Sequence, residues 1–329
     1  GSVDAGDDDG ATTFSYDFAL DLSTSFTGED SLDVKIIGGN ADGFSETAVD
    51  DYMSGDGSAD VLTLDGIGYT FPVGGLTVTA GDGVGVDDLN TGACAYSAFT
   101  DLLGDCGTGN IGGSADSAVA VAYDFGNGFT IAGGIGGGGT TAAVNNYTAT
   151  STSTTAEDTT ELTADATTDI ATATTVVDAD PTAADPLGLI SDEDPSTVGL
   201  ELAYTTDTFG LSAAYTDDDA QGDDATYYSF QAAFTPDAPY SVSVGMEFDD
   251  DDASTYFVGV TTEAGVGSLS VGLATQQMLA DHEDNLQYEA AYSYPVNDGM
   301  TITPGVFIAE NAGDVDDEFG VVVTTSFSF

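Results

Sequence analysis

Apolar and polar residues alternate along most of the chain, a pattern typical of β-strands with two chemically different faces. The first clear example runs from Phe14 to Leu22, where aromatic and aliphatic residues alternate with Ser, Asp and Ala. The pattern recurs between connections that contain Gly, Pro and Asp, and it predicts an all-β protein. The fifteen predicted strands are residues 12–26, 31–38, 59–71, 76–82, 117–125, 129–135, 197–205, 208–216, 226–234, 240–248, 255–262, 268–276, 286–294, 300–309 and 318–329.

The direction of the apolar face decides between two architectures. A soluble β-sandwich turns its apolar residues inward, whereas a transmembrane barrel turns them toward lipid and carries aromatic residues near the strand ends. Tyr and Phe recur at the predicted strand ends, and short turns such as Pro72–Gly75 and Gly126–Gly128 alternate with longer acidic connections. Short turns at one rim and long loops at the other are the arrangement of outer-membrane barrels. We therefore predict a single transmembrane antiparallel β-barrel domain over residues 1–329.

The strand count raises a question about the start of the chain. If the short turns lie at the periplasmic rim, the chain ends in the periplasm but its first predicted strand begins outside. Bacterial single-chain barrels have an even number of strands. We therefore expect about sixteen strands natively, with the first strand missing from this sequence and residues 1–10 left over from an external loop.

The charge of the chain narrows the function classes. It has 58 acidic residues against one basic residue, for a formal net charge of −57. Such a chain cannot bind nucleic acid by neutralising phosphates, and its 41% hydrophobic content argues against disorder of the whole chain. No apolar run approaches the roughly 18 residues of a membrane helix. No signal peptide opens the sequence, so we expect that it was removed or that the sequence starts late. An acid-rich secreted or surface β-protein with a structural or adhesive role is the alternative interpretation.

Two segments stand apart from the alternating pattern. Residues 136–196 are rich in Thr, Ala and Asp, and we predict a long, acidic, low-complexity external loop there. The lesser alternative is that part of this loop folds into the barrel as a constriction or forms an acidic vestibule. Cys94 and Cys106 lie in one Gly- and Asp-rich segment, where a disulfide is expected in an oxidising compartment. Two unpaired loop thiols are the alternative.

Both ends of the chain resemble one protein family. The stretch Leu20–Asp30, followed by Ile36–Asn40, is similar to the "LNFDTSFTGKD…LQAGN" region of cyanobacterial outer-membrane porins. Gly68–Pro72 resembles a strand end of that family, and Tyr292–Pro304 with Thr324–Phe329 resembles its last hairpin and terminal strand. The middle of the chain matches only in pattern.

The resemblance implies homotrimeric channels in the outer membrane that pass inorganic ions and small solutes, some of which serve iron uptake or carbohydrate permeation. It also implies an N-terminal surface-layer-homology domain that binds the cell wall, and we expect that this domain and the first strand are missing from this sequence. The chain departs from the family in its charges. Glu29 stands where relatives tend to have a basic residue, and Arg is absent altogether. An eyelet that orients solutes between Arg and carboxylates is therefore excluded, and carbohydrate selectivity through Arg stacking is not expected.

Strand alternation also predicts which side chains line the barrel. If the large apolar residues face lipid, the residues between them face the interior. Carboxylates along a water-filled path favour cations over anions, so we predict a cation-favouring porin for passive diffusion. Each acid taken singly could instead only hydrate the wall. The predicted pore-lining residues are Asp17, Asp21, Asp33, Lys35, Asp124, Glu201, Gln231, Glu247, Gln287 and Glu289.

Other chemistry has little support in the sequence. The acidic runs Asp249–Asp252 and Asp314–Glu318 offer oxygen ligands for weakly bound Ca²⁺ or Mg²⁺, and no other cofactor is expected. The only histidine, His282, lies between two acids in a predicted loop, so catalysis would depend on an exposed His–Asp pair. We expect no enzyme. A specific metal-uptake channel is a third interpretation, and it requires a defined inner site.

Overall fold

The fold is described from a computed structural model of the chain. The residues that it describes are 2–3, 14–40, 61–101, 103–113, 115, 117–137, 196–219, 225–250, 253–275, 285–310 and 317–328.

Fifteen antiparallel strands form one continuous sheet in which each strand pairs with its neighbours in sequence, from β3 to β17. Two further strands of two residues, β1 and β2, pair with each other near the start of the chain. The strands are β1 Ser2–Val3, β2 Phe14–Ser15, β3 Asp17–Thr24, β4 Ser31–Gly39, β5 Thr63–Val73, β6 Leu76–Asp82, β7 Ser117–Asp124, β8 Phe129–Gly137, β9 Ser196–Thr205, β10 Phe209–Asp218, β11 Ala225–Phe234, β12 Tyr240–Asp249, β13 Ser254–Ala264, β14 Gly267–Thr275, β15 Leu286–Asn297, β16 Met300–Ala309 and β17 Glu318–Phe327.

The two faces of this sheet are the reverse of those in a soluble β-protein. On β9 and β11, Leu200 is 52% exposed and Phe230 is 46% exposed, while Glu201 and Gln231, one residue away along each strand, are 2% and 7% exposed. The same alternation of exposed apolar and buried polar positions runs through β12 and β15. An exposed apolar band around a polar interior is the organisation of a membrane barrel. The apolar residues therefore occupy the outer face, as the sequence predicts.

The connections are sorted between two rims. Short turns join β3 to β4, β5 to β6 and each later pair of this kind, so that all of them lie at one end of the sheet, which we call the tight-turn rim. The connections at the opposite end, which we call the long-loop rim, include residues 83–116 between β6 and β7. The longest connections lie at the long-loop rim, but the predicted sorting has an exception there, because residues 250–253 between β12 and β13 are fewer than residues 25–30 of the first tight turn. In the described part of the chain, no helix is long and apolar enough to cross a membrane.

The edges of the sheet are β3 and β17, and no pairing joins them within the described residues. The sheet curls far enough to bring the two edges together, because β1 lies next to β17 and also pairs with β2, which leads into β3. Every side chain of β3 is exposed. The expectation of a sixteenth strand stays a prediction.

The boundaries differ from the sequence-based ones at several places. The predicted external loop over residues 136–196 begins later, because Gly136 and Gly137 pair with β7 and β9 as the end of β8, and Ser196 already belongs to β9. The remainder of that loop, residues 138–195, lies outside the described residues. Residues 6–10, His282, residues 251–252 and residues 314–316 of the acidic runs, and Phe329 lie outside them as well.

One carboxylate organises the first turn of the tight-turn rim. Asp30 accepts hydrogen bonds from the Ser25 hydroxyl at 2.6 Å, the Thr27 hydroxyl at 2.7 Å and the backbone N–H groups of Phe26 and Thr27 at 3.1 and 2.8 Å. The Tyr69 hydroxyl on β5 donates a further bond at 2.6 Å. These donors, with Ser25 first, then Tyr69 and Thr27, hold the pKa of the Asp30 carboxyl well below its usual range. The turn is therefore tied to the third strand of the sheet by an ionised group.

The substitution Asp30→Asn tests this turn. We expect the variant to unfold at a lower temperature in detergent at neutral pH, because the donors lose their ionised acceptor. The folded-state pKa is depressed, so the stabilisation is complete above the ordinary Asp pKa of about 3.9 and declines as the pH falls below it. The difference between the variant and the native chain should therefore narrow below about pH 4. Heat-modified gel migration at several pH values measures it.

The matched control is Asp237→Asn, which changes an exposed carboxylate in another turn of the same rim. We expect this control to unfold like the native chain. An unchanged unfolding temperature for Asp30→Asn at neutral pH would contradict the role given to Asp30.

Candidate functional site

The described residues between β6 and β7, which are 83–101, 103–113 and 115, fold against the inner face of the sheet, and we call them the inner segment. The segment follows the wall from β8 to β16 and returns, with short 3₁₀ turns at Gly104–Cys106 and Gly109–Gly112. Its outward course takes Thr91 to the wall at Glu201 on β9 and Thr100 to Glu289 on β15. One connection of the long-loop rim therefore occupies much of the interior.

Glycines on the inner face make room for this segment. A Cβ added to Gly245 on β12 would collide with the backbone oxygen of Cys106, and one added to Gly272 on β14 would collide with Tyr96 and Leu103. A Cβ added to Gly305 on β16 would collide with the ring of Phe99. Glycine weakens a strand unless another group approaches it closely. These inward glycines were the signal, missed in the sequence, that a chain segment lies on this wall.

Inner-wall glutamates bind the inner segment at both ends of its course. Glu201 accepts hydrogen bonds from the N–H groups of Thr91 at 2.6 Å and Gly92 at 3.1 Å. Glu247 on β12 accepts from the Asn110 side-chain amide at 2.6 Å. Both carboxylates are almost fully buried. Buried carboxylates are tolerated only when donors satisfy them, so the segment and the wall depend on each other.

Glu289 on β15 makes the densest set of these contacts. Its Oε1 accepts from the Tyr96 hydroxyl at 2.7 Å and the Phe99 N–H at 2.8 Å, and its Oε2 accepts from the N–H and hydroxyl of Thr100 at 2.7 and 2.6 Å. Burial, with a smaller effect of the Glu289 charge, raises the pKa of the Tyr96 phenol. Tyr96 thus stays protonated and remains a donor.

Two glutamines of the wall also anchor the segment. Gln231 on β11 accepts a hydrogen bond from the Ala93 N–H at 2.7 Å and donates to the Thr108 hydroxyl at 2.7 Å. Gln287 on β15 donates to the Thr100 hydroxyl at 2.8 Å. Because Ala93 and Thr108 belong to the outward and returning halves of the segment, Gln231 joins both halves to the wall.

A small dry cluster and a disulfide stiffen the segment itself. Leu103 and Cys106 pack with Phe257 and Ala274 of the wall, and the ring of Tyr96 lies 5.0 Å from that of Phe257 between centroids. Cys94 and Cys106 form a disulfide with a Cα–Cα distance of 5.8 Å, which ties the outward half to the returning half. The segment is therefore held by packing, hydrogen bonds and one covalent bond.

On the side of β3 to β6 the interior is open. A cavity of about 630 Å³ lies between this part of the wall and the beginning of the inner segment, and we call it the acidic cavity. Six charged side chains line it, and only one of them is basic. These residues are Asp21, Asp33, Lys35, Asp65, Asp82 and Asp88.

The acids that the inner segment contributes near this cavity are partly desolvated. Burial raises the pKa of Asp88, and burial together with the charges of Asp88 and Asp105 raises the pKa of Asp87. Lys35 on β4 lies with its Nζ 2.7 Å from Oδ2 of Asp65 on β5. Within the described residues, no group of three or more acidic, His or Cys side chains could hold a metal ion.

The ten predicted lining residues divide between these two regions. Asp21, Asp33 and Lys35 line the acidic cavity. Asp17 is exposed on β3, and Asp124 accepts a hydrogen bond from the Gly126 N–H at 2.7 Å in a turn of the tight-turn rim. The other five are buried beneath the inner segment and contact it rather than open space; they are Glu201, Gln231, Glu247, Gln287 and Glu289.

Comparisons with known proteins identify the fold. No protein-family model matches the chain, and no curated protein matches it. Among solved structures, engineered variants of the porin of Rhodopseudomonas blastica superpose with TM-scores of 0.55 and 0.56 at 14% identity, covering 100% of this chain and 96% of theirs. A porin refined at 1.8 Å resolution superposes with a TM-score of 0.57 at 14% identity, over 99% of this chain and 96% of its own. The predicted all-β, barrel-type fold is thus confirmed, as a porin fold.

The substitution Glu289→Ala tests the anchoring of the inner segment. We expect the amides of Phe99 and Thr100 to exchange hydrogen roughly tenfold faster or more, because each hydrogen bond to a charged group contributes about 1.5–3 kcal/mol. Hydrogen exchange followed by mass spectrometry of peptides from the inner segment measures the effect. Glu263→Ala, at an exposed position of the tight-turn rim, is the control. Unchanged exchange at Phe99 and Thr100 would show that the remaining contacts hold the segment without Glu289.

Proposed function

We propose that the protein is an outer-membrane porin that lets inorganic ions and small hydrophilic solutes diffuse passively and favours cations. The observation that carries the proposal is the chemistry of the two faces of the sheet. Its outer face is apolar, its inner face is polar, and an acidic cavity remains open beside the inner segment. A continuous antiparallel sheet with an apolar exterior suits a protein that spans a bilayer, since its paired strands satisfy backbone groups for which hydrocarbon offers no hydrogen-bond partner.

The outer face argues against the soluble alternative. Large apolar side chains are exposed on almost every strand, for example Leu202, Leu211, Val271 and Ile308. Soluble monomers rarely expose contiguous apolar patches larger than a few hundred Å². A secreted or adhesive β-protein would have to cover this whole band, whereas a bilayer covers it without further contacts.

The charges of the cavity support cation preference. Five carboxylates and one ammonium line it, so its field attracts cations and repels anions. The field reaches only about 8 Å at physiological ionic strength and about 3 Å at 1 M. Strong selectivity therefore needs a narrow passage, and the inner segment narrows the interior on the side of the cavity formed by Val84, Gly85 and Asp88. The chain has no arginine, so an Arg–carboxylate field across the passage is not part of the proposal.

The assembly is proposed on the sequence resemblance. We propose a homotrimer in the outer membrane, with a sixteenth strand completing the wall between β3 and β17 and a cell-wall-binding domain preceding that strand. Within the described residues no pairing joins β3 to β17, and this is consistent with the additional strand.

The first test measures ion selectivity in planar bilayers. We expect the reversal potential across a KCl gradient to show cation preference, and this preference should weaken between about 0.1 M and about 1 M salt because of screening. The double substitution of Asp21→Asn and Asp88→Asn should lower the cation-to-anion permeability ratio about two- to threefold. Asp207→Asn, at an exposed turn of the tight-turn rim, should leave the ratio unchanged. Anion preference, or no conductance at all, would refute the proposal.

A second test removes the disulfide of the inner segment by Cys94→Ser with Cys106→Ser. In the chain-entropy model, closing a loop of this size contributes about 3 kcal/mol, so we expect a less ordered segment. Single-channel recordings should then show larger current noise and a higher mean conductance than the native chain. Unfolding followed on gels checks that the barrel itself remains intact. A conductance and noise equal to those of the native protein would mean that packing and hydrogen bonds fix the passage without the disulfide.

A further inference from the structure

The only basic side chain of this chain lies in the acidic cavity. Lys35 is the single residue counted as Lys or Arg among 329. Its ammonium is paired with Asp65 at 2.7 Å, and the two side chains are 41% and 32% exposed. The ion pair therefore faces water, and a passing cation can approach either partner. A single ammonium thus lies among five carboxylates in an open part of the interior.

The ion pair of Lys35 and Asp65 lies at a β-bulge between β4 and β5. On β4 and β5, Lys35 pairs with Gly66 and Ile36 pairs with Leu64, so Asp65 is an extra residue on β5. Such a bulge redirects a side chain that regular alternation would send to the opposite face. Asp21 lies directly opposite Lys35 on β3, on the same face. The ammonium is thus set between carboxylates of two neighbouring strands.

A fixed ammonium acts unequally on ions of different charge. Coulomb repulsion from it is twice as large for a divalent as for a monovalent cation at the same place. The carboxylates alone would rank cations the other way, because their attraction also doubles with ionic charge. Pairing Lys35 with Asp65 also neutralises one carboxylate that a divalent ion would otherwise use.

The arrangement of the acids in the cavity suits the passage of cations rather than the tight binding of a metal ion. The described residues contain no group of three or more acidic, His or Cys side chains spaced to hold a metal ion. Asp21, Asp33 and Asp65 come from three strands, and Asp88 comes from the inner segment. Tight divalent binding needs several oxygens converging on one point, and here the acids are spread over a cavity of about 630 Å³.

From these observations we infer that Lys35 is a specificity-determining residue, a tethered cation that makes the passage favour monovalent over divalent cations. The inference rests on the proposed channel function. In the absence of the ammonium, Asp21, Asp33 and Asp65 attract a divalent ion without opposition, so this ion stays longer and obstructs the monovalent current.

The experiment compares the native chain with Lys35→Met, which keeps an unbranched apolar stem and removes the charge. Potassium currents are recorded in planar bilayers while CaCl₂ is added, and reversal potentials are measured with KCl on one side and CaCl₂ on the other. We expect the concentration of Ca²⁺ that halves the potassium current to fall roughly tenfold in the variant. We also expect the permeability of Ca²⁺ relative to K⁺ to rise in the variant, because the repulsion that acts more strongly on the divalent ion is removed.

Two controls separate this role from a general charge effect. Asn127→Asp adds one negative charge at the tight-turn rim, the same net change as Lys35→Met, and should leave block by Ca²⁺ as in the native chain. Lys35→Arg keeps the positive charge, so block by Ca²⁺ should stay as weak as in the native chain. Gel migration before and after heating verifies that each variant is folded.

The outcomes distinguish this inference from the channel proposal. Absence of conductance, or anion preference in the native chain, overturns the proposed function. A cation-preferring native channel with equal Ca²⁺ block in Lys35→Met overturns the inference alone. Equal strengthening of block by Lys35→Met and Asn127→Asp also overturns it, because net charge would then suffice.

Discussion

Buried carboxylates on the inner wall are satisfied by backbone and side-chain donors of a single segment of the same chain, and the interior is organised around this pairing. Glu201, Glu247 and Glu289 would be costly in a dry environment without donors. They cannot turn outward, because the outer face is apolar. The inner segment supplies the donors that these carboxylates need, and the wall supplies the acceptors that a buried, irregular segment needs. The burial of the wall carboxylates and the burial of the inner segment therefore depend on each other.

This pairing makes the interior asymmetric. The wall from β8 to β16 is covered, while the wall from β3 to β6 remains open to water. The same residue type therefore has two roles. A carboxylate such as Glu289 is committed to four donors and serves the structure, whereas a carboxylate such as Asp21 faces a hydrated cavity and remains available to mobile ions. Position along the circumference of the sheet, rather than chemistry, separates these roles.

Alternation along the strands predicted the fold and the inner or outer face of a residue such as Glu289, because strand geometry is local. Side chains of successive residues point to opposite faces, so Leu200 and Glu201 had to face apart, and the apolar excess on one face required a surface that accepts it. Strand ends were predicted less well. Gly136 and Gly137 were assigned to a loop, although glycine is compatible with a strand where a neighbouring residue such as Ala118 lies close.

The sequence by itself thus determined an antiparallel sheet with an apolar exterior and an acidic interior, since both depend on residues one or two positions apart. Only the tertiary structure decided which acids are covered and which remain in water. The contacts that settle this, such as Thr100 with Glu289, join residues 189 positions apart. The pairing of Lys35 with Asp65 depends on a bulge between two strands. No local pattern encodes such pairings, because they follow from where a folded segment comes to rest against the wall.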